Sequence, residues 1–173
     1  MISLDFITLK AFFEENKEFF CGARVQKIQQ PTRRDFVLSI RVKQETKKLY
    51  INIDPQVYHL CFINEETAKK RHITIPQKPP MFCMLLRKHL EGFRITRVNV
   101  PPYERIFQIF FESYNELNEK INLCLAIELM GKYSNVILYN DSTKTIIGCA
   151  HNVGSEKSRD RELSGTMPYV YPP

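Results

Sequence analysis

The residues best suited to chemistry in this chain are Glu104 and Arg105, which follow the stiff run Pro101-Pro102-Tyr103. Prolines fix their own φ, and a β-prone run starts at Arg105, so the pair is held from both sides. One of the two side chains should then reach solvent. An arginine offers a planar fork of five donors that fits a phosphate or a base edge, and an adjacent carboxylate can orient it or accept from a base amine. The bland alternative is a surface ion pair contributing at most ~1 kcal/mol.

Other groups have a similar character. The turn Gly131-Lys132-Tyr133-Ser134-Asn135 carries a cation, an aromatic ring and two small hydrogen-bonding groups, a set that can stack on a base and hold a phosphate. Simple turn chemistry accounts equally well for Gly131, Ser134 and Asn135. Arg33 and Arg34 beside Asp35, and Arg87 with Lys88, either extend a basic surface or are merely solvated faces. Other chemistries lack their residues. His59, His72, His89 and His151 stand apart without metal-ligand spacing, and no glycine-rich phosphate loop or nucleophile elbow occurs. No catalytic residue, metal or cofactor is therefore expected. His89 falls on the apolar side of its helix near Phe82, where a hydrogen-bonded core histidine is the expectation.

The elements that must position these groups follow from periodicity. Asp5 to Asn16 predicts a helix with Asp5 as N-cap and Phe6, Leu9 and Phe13 as its apolar stripe. Strands are predicted over 24–29, 36–41, 48–53 and 58–63. An irregular connector spans 64–80. Pro80 to Gly92 reads as a complete helix: Pro80 suits the first helical position and Gly92 the left-handed residue that ends it. Phe82, Leu85, Leu86 and Leu90 share one face, with Arg87, Lys88 and Glu91 opposite. Further strands are predicted over 93–100, 105–112, 121–130, 136–139 and 145–150, followed by a charged loop from Gly154 to Gly165. The sum is a mainly-β, α+β fold: antiparallel strands in a sandwich with two helices at the sides.

Length and composition bound the rest. The 173 residues suffice for one well-cored domain covering 1–173. No apolar run approaches the ~20 residues needed to span a bilayer, and Met1 to Asp5 shows no secretory signal. Five scattered cysteines, Cys21, Cys61, Cys83, Cys124 and Cys149, read as reduced core thiols, which points to the cytoplasm. The net charge of +6 favours polyanionic partners.

Five segments in order carry a family resemblance: Ala23-Arg24-Val25-Gln26-Lys27-Ile28 with Gln30-Pro31; Pro79 to Gly92; Tyr103-Glu104-Arg105-Ile106; Glu128 to Asn135; and Arg161 with Tyr169, Pro172 and Pro173. Together they resemble the N-terminal part of the NFACT family, which groups bacterial RqcH, the nuclear export mediator factor and fibronectin-binding protein A. The resemblance implies two packed antiparallel sheets like the N-terminal domain of formamidopyrimidine-DNA glycosylase. It also implies binding of tRNA and of a large ribosomal subunit blocked by peptidyl-tRNA. The associated activity is template-free C-terminal tailing, in bacteria usually with alanine. In the family an Asp-Arg pair and an earlier aspartate engage tRNA; the matching positions are Glu104, Arg105 and Asp5. Glu104 keeps the charge but reaches one methylene further. His59 stands where relatives commonly carry arginine. Glycosylase chemistry needs an N-terminal proline amine, and Ile2 and Ser3 supply neither that amine nor its carboxylate neighbour. The family name also leaves open a fibronectin-binding adhesin, which no export signal, disulfide pattern or repeat in this sequence supports.

Overall fold

The computed structural model describes residues 5–152 and 165–172. Ile2, Ser3, Arg161 and Pro173 lie outside the described residues. The chain runs α1 (Phe6–Phe20), β1 (Arg24–Thr32), β2 (Asp35–Val42), β3 (Glu45–Asn52), β4 (His59–Ile63), α2 (Glu65–Lys70), α3 (Met81–Leu90), β5 (Arg94–Asn99), β6 (Ile106–Tyr114), β7 (Lys120–Glu128), a 3-10 turn (Gly131–Tyr133), β8 (Asn135–Asn140) and β9 (Ile146–Cys149). No helix among the described residues is long and apolar enough to cross a membrane.

Hydrogen bonding joins all nine strands into one antiparallel sheet in the order β4-β3-β2-β1-β5-β6-β7-β8-β9. Two expected sheets are thus the two halves of one, and the seam between them is narrow: β1 and β5 share the single register pair Arg24 with Arg94. Gly22, at φ +86, turns the chain out of α1 and into that seam. The strand β1 then leaves β5. Val25 exchanges bonds with the Gly92 amide (2.7 Å) and the Phe93 carbonyl (3.2 Å), and its register to β2 slips between Val25 and Lys27. At Ile28, which pairs with Leu38 of β2 on one side, no strand remains on the β5 side. The Ile28 carbonyl accepts from Arg87 Nε at 2.8 Å, and its amide donates to Glu91 Oε2 at 3.3 Å. The last turn of α3 therefore completes a strand edge with side chains, which spares a buried peptide group the cost of an unmade bond.

Aromatic packing holds the halves together. Phe12 and Phe20 of α1 each touch Phe62 of β4 and Phe107 of β6, at centroid distances of 5.4–5.7 Å. On the far side, α3 packs Phe82 against Phe36 of β2 (5.9 Å), and a Cβ on Gly148 of β9 would meet Leu85 at 3.2 Å. The second half is buried on both faces, so its strands read as continuous apolar runs rather than alternating ones. Phe107, Ile109, Phe111, Leu123, Leu125 and Ile127 face the shared core. Ile106, Phe110, Cys124, Ala126, Ile137 and Tyr139 face outward beneath Met167 and Tyr169. That strap is stitched by Ile146 N–H to the Met167 carbonyl (2.7 Å) and Tyr169 N–H to the Lys144 carbonyl (2.6 Å). Tyr169 also donates its hydroxyl to the buried Glu128 at 2.8 Å.

Several expectations are corrected. The helix α1 runs to Phe20, past Asn16, because Phe19 and Phe20 remain in phase with Phe12 and Phe13 and are packed against Phe62. The connector 64–80 contains α2, whose cap Asn64 accepts from the Thr67 amide at 2.8 Å. Pro80 is the N-cap of α3 rather than its first residue, while Gly92 is left-handed as expected, at φ +87. The buried face of α3 includes Cys83, with Phe82 and Leu85 only partly covered. Of the five cysteines, all free, Cys83, Cys124 and Cys149 are buried and Cys21 is exposed, its thiol donating to the Thr96 carbonyl at 3.3 Å. His89 is half-buried, and burial holds its pKa below the usual range.

Replacing Arg87 by Ala removes the donor to Ile28, and we expect a loss of about 1–2 kcal/mol in urea unfolding. Lys88→Ala, at an exposed position one residue on, should change stability by less than about 0.5 kcal/mol.

Candidate nucleic-acid interface

The N-terminus of α1 starts the site. Asp5 Oδ1 accepts from the Thr8 amide at 2.7 Å, a cap that holds its carboxyl below the usual carboxylate range. The next ring, Phe6, lies 5.7 Å from that of Tyr103. This contact brings the exposed Asp5 cap to the loop that precedes Glu104 and Arg105. The loop closes through the Glu104 amide on the Pro101 carbonyl at 3.1 Å, with Tyr103 at φ +62.

Arg105 is fixed at both ends. Its carbonyl accepts from the Leu129 amide at 2.9 Å, and its guanidinium donates to the Tyr58 hydroxyl at 3.3 Å. Glu104 and Arg105 are both partly exposed, and neither has an ion-pair partner among the described residues. The surface ion pair that the sequence allowed is absent. What remains is an oriented cation with donors to spare.

The Leu129–Arg105 bond also sets the Gly131–Tyr133 turn beside this pair. Gly131 takes φ +59, and the Met130 amide donates to Ser134 Oγ at 2.9 Å. Lys132 and Tyr133 project outward, with Lys132 Nζ 5.1 Å from the Tyr133 ring centroid. Asn135 differs from the loop-tip reading. It is 2% exposed, and its side-chain amide is bonded at both ends: Nδ2 donates to the His151 carbonyl at 2.8 Å, and Oδ1 accepts from the His151 and Val136 amides. It is a strap between β8 and the segment after β9.

His151 connects Asn135 to Arg33 and Arg34. Burial holds its imidazole below the ordinary range, and the two guanidinium groups add to the effect. Arg34 also reaches Asp54 at 3.4 Å, while Arg33 is exposed. The Phe6–Tyr103 contact thus ties the Asp5 end of α1 to the loop of Glu104 and Arg105. The Leu129–Arg105 bond ties that loop to the segment leading into Lys132 and Tyr133, while Arg33 and Arg34 act on His151 by charge. Arg87 and Lys88 stand elsewhere. Arg87 is held by Ile28 and lies 3.8 Å from Glu91, and Lys88 borders a cleft with Ser113 and Asn115, at the end of β6 opposite Arg105. His59 is bound to Arg71, whose guanidinium approaches its Nε2 at 2.9 Å. Among the described residues no group of His, Cys, Asp and Glu is arranged to hold a metal ion.

Sequence reading missed Tyr58 and Tyr103. Tyr58 lies 47 positions from Arg105, and no local pattern could pair them. Tyr103 had a signal, since an aromatic residue after two prolines in a loop has little core to enter.

Two outcomes test this geometry. Neutralising Arg33 and Arg34 to Gln should let the His151 pKa rise toward 6.5, followed by imidazole proton NMR. His59, His89 and His151 all have lowered pKa values when folded, so below about pH 6.5 the unfolded chain takes up protons that the folded one refuses. Stability to urea should therefore fall as pH drops below 6.5 and gain nothing from these groups above it.

The family described as "NFACT N-terminal and middle domains" matches residues 5–173. The Rqc2 homolog RqcH of Bacillus subtilis (strain 168) is 31% identical over 172 residues, which is 99% of this chain and 29% of that protein. RqcH of Streptococcus pneumoniae serotype 2 is 30% identical, over 99% of this chain and 30% of its own. The chain therefore spans less than a third of the length of these relatives. Among solved structures, the N-terminal domain of fibronectin-binding protein PavA from Streptococcus pneumoniae superposes with a TM-score of 0.89 at 30% identity, covering 98% of this chain and 62% of that one. The chain belongs to the NFACT family.

Proposed function

We propose that residues 1–173 act as one tRNA-positioning domain in a ribosome-associated quality-control factor. The observation that carries this reading is the Arg105 guanidinium, oriented by Tyr58, without an acid partner among the described residues and next in the chain to Glu104. An oriented fork of this kind suits a phosphate or base edge, and the +6 charge speeds the approach of a polyanion. Acting within a protein as long as its relatives, the domain would recruit tRNA to a large ribosomal subunit blocked by peptidyl-tRNA. It would thereby serve template-free C-terminal tailing with alanine. Peptidyl transfer would remain the ribosome's reaction, so the domain needs no cofactor and is not itself an enzyme. Its place of work is the cytoplasm. The name of the PavA structure supports a second reading, a fibronectin contact.

Fluorescence anisotropy with purified tRNA over a salt series separates the two. Binding that weakens steeply with salt, and that drops at least about tenfold in the Glu104→Ala/Arg105→Ala double variant, is the expected result. Tyr58→Phe should weaken binding a few-fold by freeing the guanidinium. Salt-independent binding of fibronectin with no binding of tRNA would overturn the proposal.

A further inference from the structure

Tyr103 is the least explained side chain at this end of the molecule. It is 88% exposed, and its backbone lies at φ +62, a region where a residue with a bulky side chain is uncommon and strained. Neither feature helps the fold: the ring covers little core, and Asn or Gly would fit the backbone with less strain. Two prolines before it and the Glu104–Pro101 bond behind it keep the loop in this shape. Phe6 backs the ring at 5.7 Å with a tilt of 35°, which limits its motion while leaving it largely in solvent.

A second ring stands on the neighbouring loop. Tyr133 is 65% exposed, and the Leu129–Arg105 bond ties its turn to the Tyr103 loop. Each ring has a cation close in the chain, Arg105 two residues from Tyr103 and Lys132 next to Tyr133. Exposed rings with cations close in the chain suit a strand of unpaired nucleotides, because each base offers a face for stacking and each link a phosphate. Lys132 Nζ, 5.1 Å from the Tyr133 ring centroid, leaves the other face of that ring to a base. A duplex hides those faces in its own stack.

We propose that Tyr103 is a stacking platform for an unpaired nucleobase, with Tyr133 as a second, so that this end of the domain selects looped or single-stranded RNA over duplex. The inference rests on the tRNA reading above and specifies which part of such an RNA is held.

The test uses the chain with a single-stranded RNA of about ten nucleotides carrying 2-aminopurine, the same label within a duplex, and purified tRNA. Wild-type protein and Tyr103→Phe should quench the label in the single strand and not in the duplex. Tyr103→Asn keeps a residue that tolerates this backbone but removes the ring. It should lose the quenching and bind roughly tenfold more weakly, with an unfolding midpoint no lower than that of the wild type. Equal quenching by Tyr103→Asn, or equal binding of duplex, overturns the inference. If tRNA binding is lost in Glu104→Ala/Arg105→Ala but unchanged in Tyr103→Asn, the stacking role fails while the tRNA role stands. If the wild type binds neither RNA, both fail.

Discussion

A strand that leaves its sheet partner must find other partners for its amides, and β1 does so after one register pair with β5. Everything else in the architecture follows from how that break is closed. The carboxylate and guanidinium of Glu91 and Arg87 stand in for a missing strand at Ile28, which anchors α3 against β1. Once α3 is anchored, Phe82 and Leu85 meet Phe36 and Gly148 and hold the two ends of the sheet around one core. The opposite wall is α1, whose phenylalanines reach both halves. A sheet interrupted at its centre can fold round a core in a way that an unbroken, gently twisted one cannot.

The same arrangement gathers the site. Tyr58 comes from the loop before β4 and Arg105 from the residue before β6, and they meet because the two halves close on each other. The Asp5 cap arrives because α1 must cross both halves to place Phe12 and Phe20. The cluster is thus a product of the closure of the fold, with each member contributed by the end of an element rather than by its middle. Loop positions on such a scaffold can carry binding groups without disturbing the core.

Most of the elements were legible in the sequence, since nine strands and two long helices announce themselves by period and by their proline and glycine boundaries. The helix α2 was hidden in a lysine- and proline-rich stretch, although Asn64 with Glu65 and Glu66 in the first turn is a readable start signal. The joining of the two halves was not legible, because a single register pair leaves no pattern in either strand. Within the site, Glu104, Arg105 and Asp5 could be named from their types and neighbours. The fate of Arg87 and Asn135 could not: a polar helix face and a turn asparagine look alike whether they face water or a buried peptide group. Burial of that kind is decided by distant chain segments, here Ile28 and His151.

The strap of residues 165–172 has a practical side. It hides the outward apolar face of β6, β7 and β8 and gives the buried Glu128 carboxylate a hydroxyl partner. A truncation placed after β9, where the last strand ends, would look natural on a diagram of secondary structure. It would uncover Ile106, Phe110, Ala126 and Tyr139 together, and the product would be a sticky, self-associating sheet surface. Anyone transplanting this domain into a chimera should keep the chain through Pro172.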